Sequence, residues 1–310
     1  MRKIVGIGET VLDIVFKEEK PVAAVPGGST FNAMISLGRT LGQDARALMV
    51  TDIGDDHVGD IVTTFLKDNN VSTEAVIRRK NSQSRISLAF LDKNNNASYE
   101  FFKERTDPSL FEDKLKSLDF EKNDFLLFGS FFAIDPRLRP FVTSLLAKAR
   151  AAGAIIYYDI NFRKNHIADL PWAKTFIEEN CSLSSFVRGS SEDFFYLLGQ
   201  TDPMVIHREY MSALCPNFIL TCGAGPTEIF APGIHLTKEV EKTATVSTIG
   251  AGDNFNAGFI RALVSEDISA GSLRSKGLPE STLERAVTLA HRYSANVCRS
   301  LSNYVDNLEI

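Results

Sequence analysis

A chain of 310 residues that is 44% apolar, with 22 phenylalanines and a formal charge of −5, can bury a large core and lacks the basic footprint of a nucleic-acid binder. Its strongest apolar run, residues 125–134, is broken by Gly129 and Ser130 and is too short to span a bilayer, and Met1-Arg2-Lys3 leads into a strand-like run rather than a signal peptide. Cys181, Cys215, Cys222 and Cys298 show no C-x-x-C spacing, and His57, His166, His207, His235 and His291 no ligand spacing, so free thiols in a reducing cytoplasm and no structural metal are expected.

Residues 4–8 read as a buried strand that ends in Gly6-Ile7-Gly8. Val11 stands where the dinucleotide fingerprint needs a third glycine, so that reading is set aside. Asp13 follows, a carboxylate suited to accept hydrogen bonds from sugar hydroxyls, in a segment (11–25) whose shorter period suggests strands. Pro26-Gly27-Gly28-Ser29-Thr30-Phe31-Asn32-Ala33 then joins a paired-glycine turn to a helix over 30–41. Asn32 falls in its first turn, where an amide both donates and accepts toward a polyol. A strand at 47–50 and a helix at 58–66 precede a second short-period segment, 86–103, with Asp92-Lys93-Asn94-Asn95-Asn96 as its turn. Strands at 125–129, 155–160 and 218–222 alternate with helices at 137–151, 173–179 and 193–198, and helices at 252–263 and 283–298 close the chain. The pattern predicts an α/β fold with a mostly parallel sheet covered on both faces and ligands at the carboxyl ends of its strands. Asp13, Asn161, Gly223 and the 250–253 loop all follow such strands.

The segment Ser247-Thr248-Ile249-Gly250-Ala251-Gly252-Asp253-Asn254-Phe255 is the most informative. Gly250 and Gly252 let backbone N–H groups converge at the start of a helix, where unpaired donors and the positive dipole end hold a phosphate or a developing oxyanion. Asp253 stands beside that cradle, placed to take a proton from an attacking hydroxyl. A plain helix cap after a glycine turn is the competing reading of the same residue.

In order along the chain, these motifs resemble those of the PfkB (ribokinase-like) carbohydrate kinases. Gly27-Gly28 with Asn32 resembles the family's N-terminal signature, and Thr248-x-Gly250-Ala251-Gly252-Asp253 its C-terminal one. Gly54-Asp55-Asp56-His57-Val58-Gly59 is similar to its G-x-D-x-x-G stretch, and Asp159-Ile160-Asn161-Phe162-Arg163 to the D-x-N-x-R element of its fructokinase and ketogluconate kinase branches. The resemblance implies one kinase domain over 1–310, a three-layer α/β/α fold with a small β-lid from about 11–25 and 86–103. It implies an ATP- and Mg²⁺-dependent phosphotransferase acting on a primary hydroxyl of a small sugar. Asp253 would be the base, and the N–H groups of Gly250, Ala251 and Gly252 the anion hole. Asp13, Gly27, Gly28 and Asn32 would bind the sugar, with Asn161 and Arg163 near substrate and γ-phosphate; a surface pairing of Arg163 is the alternative. Arg105, at the end of the lid hairpin, is a further substrate-side candidate, with simple exposure as its rival.

Three places depart from the pattern. Ser247 replaces an Asp that helps hold an activating K⁺, which leaves that cation open. Ser190 and Asp193 replace the Asn and Glu of the element that organises Mg²⁺ through water, and Glu192 is the rival if the register slips by one. Thr221-Cys222-Gly223-Ala224-Gly225-Pro226 resembles a shifted nucleotide-side loop, so Ser190, Thr221, Gly223 and Gly225 are nucleotide candidates, with the adenine against the helix at 286–299. Asp159-x-Asn161-x-Arg163 and Phe128-Gly129-Ser130 favour a fructokinase-like substrate; ribokinase, 2-keto-3-deoxygluconate kinase and nucleoside kinase activities, or a sugar-binding regulator, stay open. Ile86, Leu88, Phe90, Tyr99 and Phe101 suggest an apolar lid face and a homodimer through the lid.

Overall fold

Consecutive residues of a strand point to opposite faces, so a run such as Phe125-Leu126-Leu127-Phe128 needs cover on both sides. It has that cover: Phe125 and Leu127 belong to one core, Leu126 and Phe128 to the other.

The computed structural model describes residues 1–92, 97–102, 107–275 and 277–308. The chain opens with β1 (Arg2–Ile7), β2 (Val11–Lys17), β3 (Lys20–Gly27), α1 (Ser29–Thr40), β4 (Ala45–Gly54) and α2 (His57–Asp68). Short β5 (Val71–Ser72) and β6 (Val76–Arg79) lead to the hairpin β7 (Ile86–Leu91) and β8 (Ala97–Phe102). Next come α3 (Ser109–Ser117), β9 (Phe125–Gly129), α4 (Arg139–Ala152), β10 (Ile155–Asp159), α5 (Leu170–Leu183), β11 (Phe186–Ser190), α6 (Ser191–Leu198) and α7 (Pro203–Glu209). The rest is β12 (Phe218–Thr221), β13 (Thr227–Ala231), β14 (Ile234–Lys238), α8 (Ala251–Ser265), α9 (Ala270–Ser275) and α10 (Glu280–Cys298).

Among the described residues, ten strands form one sheet in the order β14-β13-β12-β11-β10-β9-β1-β4-β5, with β6 also on β4. Pairing is parallel from β12 across to β5, and β13 and β14 add an antiparallel edge. Residues of α1, α2, α8 and α10 pack on one face, residues of α3 to α7 on the other. A separate four-stranded sheet, β3-β2-β7-β8, stands apart from this three-layer body. No described helix is long and apolar enough to cross a membrane.

The expected helices and strands are present with boundary shifts, but β11 escaped the pattern because Arg188, Gly189 and Ser190 occupy three of its five positions. The small sheet also separates residues that alternation had grouped. Ile86 pairs with Phe102 and Ser87 with Phe101, so Phe101 lies on the face opposite Ile86, Leu88 and Phe90, and Tyr99 pairs with Ala89. Residues 93–96 and 103–106, including Arg105, lie outside the described residues.

Helix α8, which carries the cradle at its N-terminus, lies close against α10 because Gly258 has no side chain. A Cβ there would stand 2.7 Å from Ala290 Cα and 2.9 Å from the Leu289 carbonyl oxygen. Ala is the better helix former by about 1 kcal/mol. Backbone contact decides the sign all the same, and Gly258→Ala should destabilise the fold by about 1–2 kcal/mol in urea denaturation. Stabilisation would mean that the two helices can move apart without loss.

Candidate active site

At the carboxyl ends of the strands a cavity of about 1920 Å³ runs between the small sheet and the N-terminus of α8. Asp13, Gly28 and Asn32 line one end, and Thr221, Gly223, His291 and Arg299 the other, with Gly250, Ala251, Gly252 and Asp253 between them. Gly27 borders the first end without lining it, and Gly225 lies just behind the second.

Gly250 caps α8 in the left-handed region, φ 77°, so the chain turns sharply into the helix and Gly250, Ala251, Gly252 and Asp253 line the cavity; the Ala251 N–H donates to the Thr248 carbonyl at 3.2 Å. Gly28 does the same for α1 at φ 122°, where a Cβ would strike the Glu9 carbonyl. These two helix ends bring Asn32 Nδ2 within 2.8 Å of Asp253 Oδ2. Asn32 Oδ1 is buried and has no hydrogen-bond partner among the described residues. Burial lifts the Asp253 carboxyl to about 6; the Asn32 bond works against that rise, the Asp159 charge adds to it, and Arg163 and Arg188 oppose it. Asp253 does not cap its helix: Gly250 is the cap residue, and α8 has no side-chain cap bond. Asp13, also buried, is raised to about 6 by desolvation against the pull of its Ser87 hydrogen bond.

Behind the cradle lies a charge network that the sequence reading passed over. Arg188 is buried in β11 and donates to Asp159 Oδ1 at 3.1 Å and to Thr221 Oγ1. Asp159 Oδ2 accepts from Asn256 Nδ2 at 2.9 Å, and Asn256 Oδ1 from the Tyr157 hydroxyl at 3.1 Å. A Cβ on Gly252 would meet the Arg188 guanidinium at 2.9 Å, so glycine there lets the cradle sit on a fixed cation. The available signal was an arginine directly after the apolar pair Phe186-Val187 and two residues before Ser190.

The remaining candidates divide. Asn161, at φ 41°, donates to Ser130 Oγ at 2.6 Å, which ties together the ends of β9 and β10. Arg163 is exposed at the cavity and makes no ion pair among the described residues. Phe131 and His166 stack at 4.2 Å on the same wall, a pair the histidine spacing gave no reason to mark. Ser190 and Asp193 form a reciprocal cap on α6: Asp193 Oδ2 accepts from Ser190 N at 2.6 Å and from Ser190 Oγ at 2.8 Å. Glu192 is exposed and accepts from Tyr196. Both residues line the cavity; with Asp193 Oδ2 occupied by Ser190 and no cluster of three or more possible ligands among the described residues, they could serve a divalent cation only through its waters. Ser247 is buried, and its Oγ accepts the Ile249 N–H at 3.2 Å. Asp56 of the G-x-D-x-x-G stretch lies away from the cavity: it caps α2 through Gly59 N and holds Ser84.

The chain matches the family described as "pfkB family carbohydrate kinase" over residues 1–308. It is 29% identical over 274 residues to a fructokinase of Rhizobium leguminosarum bv. trifolii, covering 86% of this chain and 81% of that one. To a fructokinase of Vibrio alginolyticus it is 24% identical over 269 residues, covering 85% and 84%. Among solved structures, the fold is similar to a Vibrio cholerae fructokinase bound to fructose, ADP and calcium ion, with TM-score 0.82, 18% identity and coverage of 98% and 94%. It is also similar to Salmonella enterica aminoimidazole riboside kinase bound to aminoimidazole riboside and an ATP analogue, with TM-score 0.79, 20% identity and coverage of 97% and 95%.

A proton acceptor with its midpoint raised to about 6 is ionised above that pH and loses its function as pH falls through it. Substrate turnover followed from pH 5 to 8 should therefore lose kcat on an acid limb centred near 6, rather than near the ordinary carboxylate value. A kcat that stays flat down to pH 5 would show that no raised carboxylate serves the reaction.

Proposed function

The chain belongs to the pfkB family of carbohydrate kinases, phosphotransferases with an alcohol acceptor, and from that premise we propose that it is an ATP-dependent sugar kinase of ribokinase-like fold whose substrate is fructose or a close relative. The observation that carries the reading is Asp253. It is buried, lies beside the first-turn N–H groups of α8, and is bonded to Asn32 at the sugar end of the cavity. Fructokinase relatives on the sequence side and the Asp159-x-Asn161-x-Arg163 element favour a keto sugar.

In this reading the sugar lies between the small sheet and α1, held by Asp13 and Asn32 with Gly27 and Gly28 leaving room, and Asn161 at the far wall. Its primary hydroxyl gives its proton to Asp253 as it attacks the γ-phosphoryl. The oxygens of the transferred group meet the N–H groups of Gly250, Ala251 and Gly252, with Arg163 free to approach from solvent. The nucleotide occupies the end lined by Ser190, Thr221 and Gly223, with Gly225 shaping the turn and α10 flanking the base. When bound, Mg²⁺ neutralises phosphate charge; Asp193 and Glu192 would hold its waters. The small sheet acts as a lid that keeps water from the phosphoryl group.

Incubation with ATP-Mg²⁺ and a panel of fructose, ribose, 2-keto-3-deoxygluconate and nucleosides should release ADP most efficiently with fructose. Asp253→Asn should lower kcat by about 10²–10⁴ while nucleotide binding, measured by calorimetry, is largely retained. ADP release from another sugar alone would move the substrate, and none from any sugar would overturn the kinase reading.

The lid also carries a dimer proposal. Ile14, Phe16, Leu88, Phe90 and Phe102 share the face opposite Asp13 and Ser87; Phe16 and Phe90 stack at 5.0 Å, and Phe102 is 59% exposed. An apolar sheet face of this kind is covered by a second copy through two-fold pairing. Light scattering at micromolar concentration should give about twice the 34.2 kDa chain mass. A monomer with full activity would refute it.

A further inference from the structure

The small sheet is tied to the body at the root of β7, and the tie lies one step from the sugar end of the cavity. Arg85 and Asp52 are both fully buried. The guanidinium donates through Nη1 to the Asp52 carbonyl at 2.8 Å and through Nη2 to both carboxylate oxygens, at 3.0 and 2.7 Å. Arg79 adds a contact from its Nε to Asp52 Oδ2 at 2.9 Å, and its Nη2 donates to the Gln83 carbonyl at 2.8 Å. Ser84 is held at the same place: its N–H and hydroxyl both donate to Asp56, each at 2.7 Å, and its hydroxyl accepts from Gly54 N. The loop before β7 is thus fixed on the end of β4 and the cap of α2.

From there the register carries the tie to Asp13. Leu12 N donates to the Arg85 carbonyl at 2.9 Å, and the parallel pairing that follows sets Asp13 directly beside Ser87. The Ser87 hydroxyl, fully buried, donates to Asp13 Oδ1. On the other side a Cβ at Gly27 would collide with Asp13 Oδ2, so glycine leaves that oxygen its space. We infer that Ser87 and Arg85 are positioning residues for the sugar: the Arg85–Asp52 pair fixes where β7 leaves the body, and Ser87 fixes the Asp13 carboxylate in the cavity wall. Nothing in the register requires a hydroxyl at 87, because Ala89, next on the same face, is equally buried with a methyl.

The inference rests on Asp13 being a sugar ligand, as proposed above, and two readouts separate its failure from that of the kinase reading. Ser87→Ala removes one donor from a buried carboxylate and should lower kcat/KM for fructose about tenfold through KM, with KM for ATP within about twofold and a modest fall in melting temperature from the lost buried hydrogen bond. Independently of turnover, ¹³C-carboxyl NMR of Asp13, assigned by its loss in Asp13→Asn, should show its midpoint rising by roughly one unit in Ser87→Ala. The ionised form loses its donor while burial stays. The other titratable groups facing this wall, Glu9, Asp253 and Tyr304, are unaltered in the variant. Arg85→Met removes the forked anchor while leaving Asp52 paired with Arg79, and should produce the same selective loss of fructose affinity. An unmoved Asp13 midpoint, or equal changes in the fructose and ATP constants with a lowered melting temperature, would overturn the inference. If the wild type phosphorylates no sugar, the kinase reading fails and the titration still decides the role of Ser87.

Discussion

The carboxyl end of the sheet is organised around keeping the Asp253 carboxylate out of water while leaving it open to a ligand. Desolvation is costly for an anion, and its effect here is visible in a midpoint raised to about 6. What limits the cost is local: one hydrogen bond from Asn32, and the positive end of α8 in whose first turn Asp253 sits. Both depend on glycines that turn the chain into a helix, Gly28 for α1 and Gly250 for α8. The two helices pack on the same face of the sheet, so the bond between Asn32 and Asp253 also records how the body closes on itself.

Behind it a single buried guanidinium faces several carboxylates. Arg188 is paired with Asp159, feels Asp193, and lowers the midpoint of Asp253. Buried charges persist only when paired and hydrogen-bonded, and Asn256 and Thr221 complete the bonding around this group. Arg188 therefore cannot leave without exposing Asp159 to an uncompensated interior, and Gly252 cannot gain a side chain without displacing Arg188. The cradle, the proposed base and the strand ends behave as one electrostatic unit.

Much of this was legible in the sequence, for a physical reason: glycine turns and buried strands leave strong local signals. The pair Gly27-Gly28, the segment from Gly250 to Asp253 and the apolar runs at 125–129 and 155–160 each declare their conformation within a few residues. Contacts that depend on register do not. Ser87 lies beside Asp13 only because β2 and β7 pair in parallel across 74 residues, and Phe101 lies opposite Ile86 only because of how the hairpin closes. Arg188 was hidden for the opposite reason: a charged residue in a strand argues for exposure, and only tertiary pairing with Asp159 reverses that. Asp56 adds a third case: a residue in a motif-like stretch serves a helix cap and a loop anchor away from the cavity, which local sequence does not reveal.

The anchor of the small sheet shows how such pairs are best understood. A fully buried ion pair such as Arg85 with Asp52 gains little net stability, because removing both ions from water offsets most of their attraction. A well-packed apolar pair of similar volume would hold the same elements together about as well. What apolar contacts lack is direction: a guanidinium forked onto one carboxylate and its own carbonyl admits one geometry, whereas packed methyl groups slide. A sheet that contributes a ligand to a cavity gains from fixed geometry at its root more than from added stability, since an error of an ångström there displaces Asp13 as well. On that argument the charges at the base of β7 belong to the chemistry of the cavity, although none of them touches it.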